Sequence, residues 1–84
     1  MNEEEVRSVL LRILQEMVPE EDVTKLKPDV RLRDQLDLDS MDFVNFLVAV
    51  AEQLGVETPE KDYPRLATLN SCAAYFQRKL AAKT

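Results

Sequence analysis

Three stretches of this 84-residue chain repeat their apolar residues with the period of an α-helix, and no stretch alternates convincingly as a strand would. In the first, Val6, Val9, Leu10, Ile13, Leu14, Met17 and Val18 follow the i, i+3, i+4, i+7 spacing of a single stripe. Asn2 is placed to cap this helix, and Glu5 three residues later completes a capping-box pair. Glu3, Glu4 and Glu5 sit where the helix dipole favours negative charge, and Pro19 marks the helix end. In the last stretch, Leu69, Cys72, Ala73, Phe76 and Leu80 share one face behind Thr68 as cap. Arg78, Lys79 and Lys83 suit the negative end of that helix.

The middle stretch begins at Asp39 or Ser40 and runs to about Leu54. Asp39 is a strong cap residue, Asp42 falls at the third helical position, and Gly55 follows as a C-cap. Its apolar residues run nearly all round: Met41, Phe43, Val44, Phe46, Leu47, Val48, Ala49, Val50, Ala51 and Leu54. One core-facing stripe does not need so many. Residues 19–38 are polar and irregular, with prolines at 19 and 28. Connections of that length in small domains are often functional. Leu26, Val30, Leu32, Leu36 and Leu38 are spaced to dip into the core, and a helical turn is expected near 20–24. Thr58-Pro59 reads as a cap followed by proline at the first helical position, with Pro64 limiting that helix to about one turn. The expected fold is all-α: one domain over residues 1–84, a four-helix bundle. It has three main helices, one short third helix and a long loop between the first two.

Composition removes several function classes. There is no histidine, which takes away the usual general base, the commonest zinc ligand and the standard partner of a nucleophilic serine. The single glycine, Gly55, excludes a Gly-rich phosphate loop. A single cysteine forms no internal disulfide, in keeping with a reducing compartment, and no apolar run is long enough to span a membrane. The N-terminal Met-Asn-Glu-Glu-Glu has no signal-peptide character, so the expected location is the cytoplasm. The net charge is −5 and unevenly spread. Acids crowd the segment from Asp34 to Asp62, where Lys61 is the only base, and every charge after Tyr63 is basic. Nucleic acid is excluded as a partner. The acidic block serves either a basic protein surface or solubility alone.

Of the three serines, Ser8 and Ser71 lie within helices, and only Ser40 opens a helix directly after a long loop. A phosphate ester on Ser40 would meet free backbone N–H groups and the positive end of the dipole, worth roughly 0.3–1 kcal/mol when exposed. Asp39 and Asp42 oppose it by like charge, so the position tolerates a phosphodiester without gripping it. The plainer reading of Asp39-Ser40 is an ordinary helix cap, and the dipeptide alone favours it. Catalysis by Ser40 has no support, because no base stands nearby in sequence except the two aspartates.

The run Leu36-Asp37-Leu38-Asp39-Ser40-Met41-Asp42-Phe43-Val44 resembles the signature of the acyl carrier proteins, Asp-Ser-Leu-Asp followed by apolar residues. The likeness extends over nearly the whole chain: helix, long loop, serine, short helix, final helix. It implies that Ser40, flanked by Asp39, Met41 and Asp42, receives a 4'-phosphopantetheine arm from coenzyme A through a phosphopantetheinyl transferase. The arm's thiol would then carry an acyl or aminoacyl group as a thioester to loading and transferring enzymes. The chain would be a free-standing, monomeric carrier and not an enzyme, working in fatty acid, lipid or specialised metabolite biosynthesis.

One departure from the family pattern concerns the helix after Ser40. At three positions where carriers of fatty acid synthesis bear acids, this chain has Asn45, Ala51 and Glu52. Met41, Val44 and Val48 match the family's contact stripe and lie on one helical face with Asn45 and Glu52. These five are the expected docking residues for a partner that reads apolar shape more than charge. The alternative is that the extra apolar residues only enlarge the core. A different class of function, an unmodified helical interaction module, would use the same stripe. Cys72 is expected to be a small core residue, Tyr63 and Tyr75 packing residues, and the bases of 25–33 loop surface.

Overall fold

The computed structural model describes residues 1–83, and its regular elements are helical. They are α1 (Glu3–Met17), α2 (Leu32–Gln35), α3 (Ser40–Leu54) and α4 (Leu69–Lys83), with 3-10 turns at Val23–Lys25 and Glu60–Leu66. Among the described residues the only β-type pairing is an isolated bridge between Arg31 and Thr68.

The caps expected at α1, α3 and α4 form. Asn2 Oδ1 accepts from the Glu5 amide at 2.8 Å, and Glu5 Oε1 accepts from the Asn2 amide at 3.0 Å. Each box satisfies two donors that a helix start would otherwise strand. Thr68 and Ser71 form the equivalent pair at α4, through Ser71 N–H to Thr68 Oγ1 at 3.0 Å and Thr68 N–H to Ser71 Oγ at 3.1 Å. The end of α3 is closed by Gly55 in the left-handed region, at φ 67°. Lys83 Nζ donates to the Gly55 carbonyl at 2.6 Å, placing a cation on the negative end of that helix.

α1 packs against both α3 and α4, and α4 also packs on the 3-10 turn Glu60–Leu66. Val6, Leu10 and Leu14 of α1, Phe46, Leu47 and Val50 of α3, and Leu66, Cys72 and Phe76 meet in one apolar cluster. Burying each such side chain contributes roughly 1.5–3 kcal/mol.

The segment 19–38 is more ordered than its composition indicates. Val23, Leu32, Leu36 and Leu38 are buried, while Leu26 and Val30 are half-buried. Two glutamines hold its backbone. Gln15 Nε2 donates to the carbonyls of Val18 and Glu21. Gln35 accepts from the Lys27 amide at 2.8 Å and donates to the carbonyls of Lys27 and Val30, both at 2.9 Å. Leu32 N–H to Ala67 O and Asn70 N–H to Pro28 O, each 2.9 Å, tie the segment to the start of α4.

Three local expectations are corrected. The turn near 20–24 falls at Val23–Lys25, capped by Asp22. A helical turn, α2, lies within the expected loop, where Leu32 buries itself and leaves Arg33 and Asp34 outside. The third helix is a 3-10 element of 7 residues that accommodates Pro64 within it. Its first residue follows Pro59, and Thr58 does not cap it: among the described residues the Thr58 hydroxyl has no hydrogen-bond partner.

Candidate functional site around Ser40

Ser40 is exposed and is the first helical residue of α3. The chain reaches it along a fixed path. Leu36 and Leu38 are buried on either side of exposed Asp37, and the Leu38 carbonyl accepts from Arg33 Nε at 3.3 Å. These anchors set where α3 begins.

The cap geometry shows which of Asp39 and Ser40 caps the helix. Asp39, not Ser40, is the cap. Its Oδ1 accepts from the Asp42 amide at 2.8 Å, and Asp42 Oδ2 accepts from the Asp39 amide at 3.2 Å. The two carboxylates that flank Ser40 are therefore committed to the backbone. No side chain among the described residues hydrogen-bonds the Ser40 hydroxyl, which needs no rearrangement to be reached.

The amides of Ser40 and Met41 belong to the unsatisfied first turn of the helix. A phosphodiester on the Ser40 oxygen would lie against these donors and the positive dipole end. Ser40 is itself exposed, so a group on its oxygen extends into solvent. The residues fit a phosphopantetheine ester: an accessible hydroxyl and backbone donors near its oxygen.

The face of α3 that runs away from Ser40 carries the other expected residues. Asn45 and Glu52 are exposed, Val48 is 42% exposed, and Val44 is half-buried. The helix divides as its spacing indicates, with Phe46, Leu47 and Val50 fully buried on the opposite side. Phe43 is half-buried and packs against Phe46, ring centroids 6.3 Å apart. Of the three positions where acids are typical, only Asn45 and Glu52 belong to the open face. Ala51 is buried at 9% exposure and cannot contribute to that surface.

Three residues have places that sequence reasoning did not assign. Arg31 and Arg33, expected on loop surface, are exposed but line a cleft of about 360 Å³ with Asp34, Leu38, Phe43, Tyr63, Pro64 and Ala67. Their spacing carries no signal for this, since the cleft exists only once the segment 31–38 packs beside the turn Glu60–Leu66. Tyr63 also lines a second cleft, at the foot of α3, with Val48 and Val56.

Tyr75 and Cys72 are core residues. The Tyr75 hydroxyl donates to Asp62 Oδ2 at 2.6 Å, and burial of the ring, then this bond, pushes its pKa up to about 12. The same bond holds the Asp62 carboxyl below its ordinary value. Cys72 Sγ donates to the Leu66 carbonyl at 3.0 Å, and burial pushes the thiol up to about 12. A thiol so raised is a poor nucleophile at neutral pH.

The chain matches the family described as Phosphopantetheine attachment site over residues 4–76. It is 33% identical over 58 residues to an acyl carrier protein of Bdellovibrio bacteriovorus, covering 69% of this chain and 74% of that one. It is 28% identical over 82 residues to an acyl carrier protein of Thermosynechococcus vestitus, covering 98% and 100%. It is 30% identical over 76 residues to a meromycolate extension acyl carrier protein of Mycolicibacterium smegmatis, covering 90% and 76%. With a phosphopantetheine-attachment match over most of its length, this chain belongs to the acyl carrier protein family.

Proposed function

We propose that Ser40 is the residue that takes the 4'-phosphopantetheine arm, and that the chain is a monomeric carrier acting in the cytoplasm. The observation that carries this reading is the Asp39–Asp42 capping box, which leaves the Ser40 hydroxyl exposed and uncommitted. In loading, the Ser40 oxygen bonds to the phosphorus of coenzyme A that bears the pantetheine side, and adenosine bisphosphate leaves. The proton of Ser40 passes to a base of the transferase. This chain has no histidine, and its nearest carboxylates are held by backbone amides. The bound arm supplies a thiol that holds cargo as a thioester.

This chain's own part is presentation. Tethering raises the local concentration of cargo at each partner enzyme. Met41, Val44, Asn45, Val48 and Glu52 form the docking face, with Asp39, Met41 and Asp42 beside the arm. A face with two exposed apolar residues and one acid favours a partner that reads apolar shape. That composition supports a specialised lipid or metabolite pathway, with acyl cargo as the first reading and aminoacyl cargo as the second.

The test is intact mass after incubation with coenzyme A and a broad-specificity transferase. Wild-type protein gains one arm, and Ser40→Ala gains none while keeping its helical circular dichroism. Arm mass on Ser40→Ala, or none on wild type, refutes the assignment.

A further inference from the structure

Every charge after Tyr63 is basic, and the fold gathers three of these bases around one ring. Arg65, Arg78 and Lys79 line a shallow recess of about 290 Å³ with Asp62, Tyr75 and Ala82. Arg65 Cζ lies 5.8 Å from the centre of the Tyr75 ring, and Lys79 Nζ lies 5.5 Å from it. An aromatic face attracts cations, so the ring holds these two in place. The ring is itself fixed, because its hydroxyl donates to Asp62 Oδ2 at 2.6 Å. Arg65 and Arg78 are exposed, and Lys79 is half-buried. Asp62 is the one acid of the lining, and it already serves Tyr75 and, at 3.8 Å, Arg65. Three bases against one acid leave two positive charges over.

That surplus contrasts with the rest of the molecule. The chain carries −5, so everything outside the recess carries −7. A membrane, a nucleic acid or a second copy of this chain would lay its own negative charge across the surrounding acids, within a screening length of about 8 Å. A short acidic segment meets the bases alone. The recess also lacks the large exposed apolar residue that a membrane-binding face needs. Its place in the fold is set by Lys83, whose Nζ on the Gly55 carbonyl puts the last turn of α4 beside the end of α3. Arg78, Lys79 and Ala82 lie within two turns of Lys83, away from the Ser40 end of α3.

We infer that this recess docks a short acidic segment of a partner protein. The guanidinium forks of Arg65 and Arg78 match carboxylates, and Lys79 adds a point charge. The site is separate from the face of α3 that carries Met41, Val44 and Val48, so a partner held here leaves that face open. The inference does not depend on Ser40 carrying the arm.

The probe is decaglutamate, titrated at low salt into nitrogen-15-labelled protein. The Arg65 and Arg78 Nε–Hε resonances and the Lys79 and Ala82 amides shift and saturate, while the Met41 and Val44 amides stay. Raising the salt about tenfold abolishes the shifts. Arg78→Gln and Lys79→Gln, checked for fold by circular dichroism, each weaken binding by about two- to fivefold, the scale of an exposed charge pair. Arg12→Gln removes the same charge from α1, where Arg12 pairs with Glu16, and leaves binding unchanged.

The inference is overturned if no shift saturates, or if Arg12→Gln weakens binding as much as Arg78→Gln, which would reduce the effect to net charge. Equal shifts of the same resonances with inorganic phosphate overturn it in favour of a small-anion site. Binding of phosphatidylglycerol vesicles that is lost in Arg78→Gln and Lys79→Gln overturns it in favour of a membrane surface.

Discussion

Replacing Asp39 with alanine separates the role of the cap from the role of the serine next to it. Asp39 accepts from the Asp42 amide at 2.8 Å, and its own amide donates to Asp42 at 3.2 Å. Asp39→Ala removes the shorter bond and unsettles the longer one, because the two side chains hold each other. Losing an N-cap of this kind costs about 1 kcal/mol, within a range of roughly 0.5–2 kcal/mol. For a domain of this length that lowers the melting temperature by roughly 4–8 °C. Ser40→Ala removes a hydroxyl with no side-chain partner from an exposed site, so its effect stays within about 0.5 kcal/mol. Asp39→Ser keeps a capping oxygen and restores most of the loss. The double variant Asp39→Ala/Asp42→Ala costs less than the sum of the singles, since both belong to one box. Thermal unfolding followed by far-ultraviolet circular dichroism reads all four. If Ser40→Ala melts several degrees low and Asp39→Ala does not, Ser40 is the cap, and the case for its hydroxyl being uncommitted fails.

Gly55→Ala forces a Cβ into the left-handed region and within 2.8 Å of Lys83 Nζ, so stability falls by about 1–2 kcal/mol in urea unfolding, and Gly55→Asn recovers part of it. Gln35→Ala leaves three backbone groups of the long connection to water, which lowers stability by roughly 0.5–1.5 kcal/mol and speeds amide exchange at Lys27; unchanged exchange would show that the segment is held by its leucines alone. Above pH 9 the unfolded chain loses protons from Cys72 and then Tyr75, with ordinary values of 9.0 and 10.0, while the folded chain keeps both until about 12. The urea midpoint therefore declines as pH rises from about 9 toward 12, and the decline is shallower in Cys72→Ala and Tyr75→Phe.

What was legible in the sequence follows from the range of the interaction involved. The boxes Asn2–Glu5 and Asp39–Asp42 act over three residues, so their spacing alone announces them. The division of α3 was legible in part. Helical spacing put Met41, Val44 and Val48 on one face, but only packing against α1 and the shared core buries Phe46 and Val50 and leaves Met41 outside. The burial of Ala51 depends on the same packing. α2 is a single turn with one apolar residue, Leu32, too short to show a period. Gln15 and Gln35 gave no signal, because their partners are backbone groups of a segment whose path is set elsewhere. The cap at Thr58 failed for a related reason: the turn that follows it is 3-10, and tertiary packing places it. The cleft at Arg33 joins residues 31 and 67, and no local pattern links them.

The bond from Lys83 to Gly55 has a practical side. α3 has 15 residues and is about 22 Å long, with Ser40 at one end and Gly55 at the other. A fluorophore or surface tether joined at Lys83 would start at the far end of that helix from the Ser40 hydroxyl. Immobilisation there should leave the surface around Ser40 unobstructed, whereas attachment at an engineered cysteine near Asp37 should crowd it.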